Sequence, residues 1–233
     1  MVAVHLGYTN KIQCFCAEIR EDYFSLTNTR WIFWEINMQK TQALPDVLHS
    51  IPTDLPIPMD DGACQHLENM LMPDISLSST DDKRINLSQL AGWNVIFCYP
   101  MTGRPGFAIP EGWVQIPGAA GCTLQVCSYR ESHAKFKRNR VGVYGLSSQT
   151  PEAQKEAAIR LELSYPLLSD SMYSFSSAME LPMLEVAGLK LIKRLTLIIK
   201  DGVVRKCFYP VFPPDKNVDE VIVWLSETRR NLS

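Results

Sequence analysis

The chain has 233 residues, 46% hydrophobic and 21% charged, with a net charge of −2 at pH 7 and a pI near 6.1. That balance suits one sizeable core with an appendage, and it argues against a nucleic acid or an anionic membrane as the main partner. No run approaches the ~20 apolar residues that span a bilayer, and Glu18, Glu21 and Asp22 interrupt any leader-like apolar core, so neither a membrane segment nor a signal peptide is expected.

Cysteines at 14, 16, 64, 98, 122, 127 and 207 are too sparse and irregular for a disulfide scaffold, which points to a reducing, cytoplasmic compartment. No CxxC pair exists, and His5, His49, His66 and His133 are scattered without ligand spacing, so no metal and no cofactor is expected.

In chain order, residues 1 to 44 form an extension of unknown role around the aromatic cluster Arg30-Trp31-Ile32-Phe33-Trp34-Glu35. Residues 45 to 70 read as a wrapping segment, because prolines at 45, 52, 56 and 58 force an extended path that ends in a turn at Asp60-Asp61-Gly62. Cys64 follows as a packed residue or a second redox thiol. The main domain, 71 to 233, begins with a small hairpin: Ile75, Leu77, Ile85 and Leu87 are apolar around the turn Asp81-Asp82-Lys83.

Asn94 to Tyr99 is a nearly continuous apolar run stopped by Pro100, the pattern of a strand buried on both faces, and it makes Cys98 a core residue. Met101 to Ala120 holds Pro105, Pro110 and Pro117 among several glycines and must be a long loop, with Trp113, Phe107 and Ile116 packing it as a cover. A helix over Thr123 to Asn139 follows, its basic end at Lys135 to Arg140 complementing the dipole, and then a buried strand over Val141 to Leu146. Thr150 and Pro151 open a second helix as N-cap and first residue, with Ala153, Ala157 and Leu161 on its inner face. Pro166 to Leu168 is a short strand, and residues 171 to 181 hold a short helix. Lys200-Asp201-Gly202 joins the runs Leu195 to Ile199 and Val203 to Phe208 as a tight hairpin. The last helix has Asn217 as N-cap, Glu220 three residues on, and an inner face at Val218, Val221, Ile222 and Leu225. A βαβ start and an antiparallel ββα finish make an α/β fold, a mixed sheet flanked by helices on both faces, with the additional N-terminal hairpin.

The chemistry concentrates at Gly121-Cys122-Thr123-Leu124-Gln125-Val126-Cys127. A thiol in the first helical turn meets the positive end of the dipole and free backbone N–H groups, which favour thiolate. Cys127, five residues on, lies about 140° around the helix and about 7.5 Å along it, whereas a disulfide needs a Cα separation of roughly 4.4–6.8 Å. Any bond between the two requires local unwinding. The other reading is that both thiols are small core hydrophobes.

From about Leu71 to Leu225 the chain resembles a peroxiredoxin of the Q-type, bacterioferritin-comigratory-like group, a thioredoxin-fold thiol peroxidase. The resemblance rests on Val95 to Pro100, Gly121 to Arg130, Tyr144 to Gln154 with Tyr165 to Asp170, and Lys193 to Gly202. It implies a thioredoxin-like mixed sheet and reduction of hydrogen peroxide or organic hydroperoxides. Cys122 would be the peroxidatic thiol, Cys127 the resolving thiol of an intramolecular disulfide, and Arg194 the cation serving thiolate and peroxide. A thioredoxin-like reductant would recycle the enzyme, and a homodimer fits the family's habit of pairing through sheet edges or loops.

One departure stands out. The family's PxxxTxxC loop would place Pro and Thr where this chain has Gln115 and Ala119. Pro100 and Thr102 could keep those roles, with Gly103 to Ala120 inserted, or Ile116-Pro117-Gly118-Ala119 could form a substitute wall without a hydroxyl. Two other readings compete: general thiol–disulfide exchange, for which the usual CxxC is absent, and a non-catalytic thioredoxin-like binding module.

Overall fold

The computed structural model describes residues 55–230. The extension at 1–44, with its aromatic cluster, and the prolines at 45 and 52 lie outside the described residues. Those described belong to one unit, Leu44–Ser233.

The hairpin forms as β1 (Ser76–Ser79) against β2 (Arg84–Asn86). Next come β3 (Trp93–Cys98), α1 (Cys122–Arg138), β4 (Gly142–Ser147), α2 (Pro151–Arg160) and β5 (Leu167–Ser169). A short α3 (Ser174–Ala178) leads into β6 (Met183–Val186) and β7 (Leu189–Ile192), followed by β8 (Leu195–Lys200), β9 (Val203–Phe208) and α4 (Asn217–Arg230). The main sheet runs β2-β1-β5-β4-β3-β8-β9. β3, β4 and β5 are parallel neighbours because helices carry the chain back between them, while the tight Asp201-Gly202 turn, with both residues at positive φ, makes β8 and β9 antiparallel.

Strand alternation divides the core in two. Val95, Phe97, Val143, Leu167 and Ile198 face one side, where α1, α2 and α4 contribute Val126, Tyr129, Phe136, Ala157, Val218, Val221 and Leu225. Ile96, Cys98, Leu146, Leu168, Leu197 and Ile199 face the other, covered by α3 and the leading segment through Cys64, Leu67, Met72, Phe175 and Met179. Burying both faces requires the near-continuous apolar runs seen in β3 and β8.

Phe97 fixes α1 on the sheet. Its ring stacks on Tyr129 with centroids 4.1 Å apart and planes 6° from parallel. Gly145 leaves the room, because a Cβ there would sit 2.6 Å from Leu167 Cδ2 and 2.9 Å from Phe97 Cζ. The Tyr129 hydroxyl donates to Asn217 Oδ1 at 2.9 Å, and Thr196 Oγ1 donates to the same oxygen at 2.6 Å, tying α1, β8 and α4 together.

Several expectations need amendment. The antiparallel pair β6–β7 was absent from the sequence reading; its Ala187-Gly188 turn, both residues at positive φ, is the missed signal. Asn217 is not a simple N-cap, since its oxygen serves the buried network and its Nδ2 donates to Glu220 Oε2 at 3.3 Å. The inner face of α2 includes the fully buried Gln154, which accepts from the Tyr99 hydroxyl at 2.6 Å. Phe107 is 57% exposed and lies against the Arg104 guanidinium, so among the expected cover residues Trp113 is the one that is buried.

Candidate active site

α1 begins at Cys122 because Gly121 turns the chain with φ +90° and ψ 14°. A side chain would not fit there: a Cβ on Gly121 would meet Pro214 Cγ at 2.5 Å. No side chain caps this helix start. Cys122 is 4% exposed, and its thiol donates to the Ala119 carbonyl at 3.3 Å.

Arg194 comes from the other end of the fold, in the residue just before β8, where Leu195 pairs with Cys98 of β3. Its Nη2 donates to Cys122 Sγ at 3.1 Å, to the Ala119 carbonyl at 3.1 Å and to the Ala120 carbonyl at 2.9 Å. Nε donates to the Gly118 carbonyl at 3.2 Å, and Nη1 donates to Gln125 Oε1. Arg194 is 3% exposed, and among the described residues no carboxylate pairs with it. The guanidinium is otherwise held by carbonyl dipoles and an amide, and the sulfur completes its set of acceptors.

Gln125 lies three residues along α1 from Cys122, on the same side of the helix. It is fully buried; its Oε1 faces Arg194, and its Nε2 has no partner. Sequence reasoning missed it, since a glutamine in a helix carries no motif. Cys127 is half-buried against the α1-side core and is a free thiol, as is Cys122, with the helix between them intact. Burial pushes the Cys127 thiol up, the nearby Arg130 opposing and Glu131 adding to it.

The hydrogen bonds of Pro100 and Thr102 go to Ser147 and Gln149. The Thr102 backbone N–H and hydroxyl both donate to Gln149 Oε1, at 2.8 and 3.1 Å, and Ser147 Oγ donates to the Pro100 carbonyl at 3.2 Å. Of the two segments considered for the wall around Cys122, the loop end at Gly118 to Ala120 supplies the atoms that touch the sulfur and Arg194. It does so through backbone carbonyls, which accept from both.

In front of Arg194 lies a mainly apolar pocket lined by Pro58, Met59, Ile116, Pro117, Leu184 and Val211. The leading segment is held there by Asp61, which accepts from Lys193 Nζ and from the Tyr209 hydroxyl, both at 2.8 Å. Those two bonds hold the Asp61 carboxyl down at about 2.

The Redoxin family model matches residues 67–222. The chain is 27% identical over 184 residues to a chloroplastic peroxiredoxin Q of Gentiana triflora, covering 76% of this chain and 77% of that one. It is 28% identical to a chloroplastic peroxiredoxin Q of Populus jackii, covering 64% of this chain and 63% of that one. Among solved structures, peroxidoxin BcpB of Mycobacterium tuberculosis superposes with a TM-score of 0.55 at 23% identity, covering 69% of this chain and 96% of that one.

Proposed function

The chain belongs to the Redoxin family, and from that membership and the geometry around Cys122 we propose that it is a thiol-dependent peroxidase of the Q-type peroxiredoxin kind. The observation that carries the site is the 3.1 Å contact from Arg194 Nη2 to Cys122 Sγ, with no carboxylate paired to Arg194 among the described residues.

The Cys122 thiolate attacks one oxygen of hydrogen peroxide or an organic hydroperoxide. An S–O bond forms, the O–O bond breaks, and the leaving oxygen departs as water or alcohol after taking a proton. Arg194 can bind the peroxide oxygens while keeping charge opposite the developing oxyanion. The apolar lining by Pro58, Met59 and Val211 suits the hydrocarbon part of an organic hydroperoxide.

Cys127 resolves the sulfenic acid: its sulfur bonds to Cys122, and the sulfenic oxygen leaves as water. α1 must unwind between the two cysteines for this to happen, which also exposes the half-buried Cys127. A thioredoxin-like dithiol then reduces the disulfide by exchange. A reducing compartment and a homodimer belong to the same proposal.

The test is peroxide consumption by the full-length protein with a thioredoxin system. Cys122→Ser is expected to abolish turnover, and Cys127→Ser to allow one oxidation without recycling. Wild-type turnover by Cys122→Ser would overturn the assignment.

A further inference from the structure

A second pair of cysteines, outside the Cys122 site, is brought together by the fold. The leading segment does not merely precede the sheet; it runs along the free edge of β9. Asn69 N–H donates to the Val204 carbonyl at 2.8 Å, Val204 N–H to the Met70 carbonyl at 3.0 Å, and Met72 N–H to the Gly202 carbonyl at 2.9 Å. The pairing continues toward Cys64 through side chains: Glu68 Oε1 accepts from Lys206 Nζ at 2.9 Å and from the Cys207 backbone N–H at 3.4 Å, and Asp61 accepts from Tyr209 at 2.8 Å. Cys64 is thus bracketed by contacts on both sides of Cys207.

The two thiols are neighbours, and both are free. Cys64 is buried in the core on that side of the sheet, and Cys207 is half-buried at its margin. Cys98, the other thiol of this cluster, is fully buried in the centre of the sheet. No step proposed at Cys122 uses any of the three.

We propose that Cys64 and Cys207 form a second redox site, a reversible disulfide that clips the leading segment onto the edge strand β9. The oxidant it takes is a low-molecular-weight disulfide such as oxidised glutathione. Cys207, the more accessible thiol, attacks as thiolate; a new S–S bond forms at Cys207, the small disulfide's bond breaks, and one small thiolate leaves. Cys64 then attacks the Cys207 sulfur of the mixed disulfide, and the second small thiol departs. The two protein sulfurs lose two electrons, and their two protons end on the two released thiols. Until oxidation, the neighbouring Cys207 and burial push the Cys64 thiol up, and Cys207, the more exposed of the two, reacts first.

The clip acts on the pocket in front of Arg194, because Pro58 and Met59 of that pocket belong to the segment it anchors. Formation of the clip does not depend on the peroxidase reading, and neither does its test.

Full-length wild-type protein is incubated with excess oxidised glutathione, alkylated and digested with trypsin without reduction. The expected product is peptide 41–83, carrying Cys64, joined to peptide 207–216 and released by dithiothreitol. The oxidised protein should melt on the order of 5 °C higher, and Cys207→Ser, a change at a half-exposed position, should lose both the linked peptide and the shift. Recovery of both cysteines as free thiols, of Cys207 as a stable glutathione adduct, or of Cys64 joined to the Cys98 peptide would overturn the proposal.

Discussion

Gly121 and Pro214 approach so closely that a single methyl group would collide: a Cβ on Gly121 falls 2.5 Å from Pro214 Cγ, at a backbone φ of +90°. The loop before α4 therefore sets where α1 can begin, and so where Cys122 stands. Gly121→Ala combines backbone strain with overpacking, each worth about 1–3 kcal/mol. The variant is expected to lose about 2–6 kcal/mol in denaturant unfolding and to react more slowly with peroxide, because Cys122 shifts relative to Arg194.

Arg194 presents its donors to five acceptors, one of which is the Cys122 sulfur. Lysine keeps the charge but cannot hold Gly118, Gln125 and the sulfur together from one ammonium group. Arg194→Lys should lower the second-order rate with peroxide by about 10²-fold and Arg194→Met by more, in the range seen for loss of a preorganised donor. Stopped-flow oxidation, with circular dichroism to verify folding, measures this.

Gln125 supplies the acceptor for Arg194 Nη1, while its own Nε2 is buried without a partner. Gln125→Leu strands a buried guanidinium N–H, whereas Gln125→Glu keeps the acceptor and removes the orphaned donor. The leucine variant should be less stable than the glutamate variant by about 1–3 kcal/mol, as read from urea midpoints at constant slope.

Burial pushes the Cys127 thiol up, so at neutral pH it is almost entirely protonated. The resolving step needs its thiolate. Closure of the Cys122–Cys127 disulfide after a single peroxide pulse should therefore speed up as pH rises from 7 to 9, approaching tenfold per unit while Cys127 remains below its pKa. Acid quench and mass spectrometry at timed intervals would show this; a closure rate independent of pH would place the limit in helix unwinding.

His133 is lowered by burial first and by Lys137 second, and its Nδ1 lies 2.6 Å from Ser164 Oγ, with Tyr165 edge-on to the ring. A folded-state value below the unfolded 6.5 means that its stabilising contribution is complete above pH 6.5. It is lost as pH falls through the lower folded value. Thermal midpoints should decline on acidification below pH 6.5, and His133→Gln should flatten that decline.

The order of strands and helices was largely legible because each rested on a local signal: the apolar run stopped by Pro100, Thr150-Pro151 at a helix start, and Asp201-Gly202 at a hairpin. The β6–β7 pair escaped because Met183 to Ile192 alternates only partly and its turn is Ala-Gly. The thiol at the start of α1 and the arginine before β8 were also legible as candidates, through motif resemblance.

Other relations were set by side chains meeting across long stretches of chain. Nothing local in the sequence says that Gln125 would serve Arg194, that Thr102 would bond Gln149, or that the carbonyls of Gly118 to Ala120 would accept from Arg194. The same holds for Cys64 and Cys207, which are 143 positions apart by their numbering. Composition and periodicity determine which faces are buried, because burial of apolar area is nearly blind to partner identity. Hydrogen bonds and thiol pairs require distances of a few ångströms and fixed directions, so only the packed sheet, with β8 beside β3 and the leading segment along β9, decides which polar groups meet.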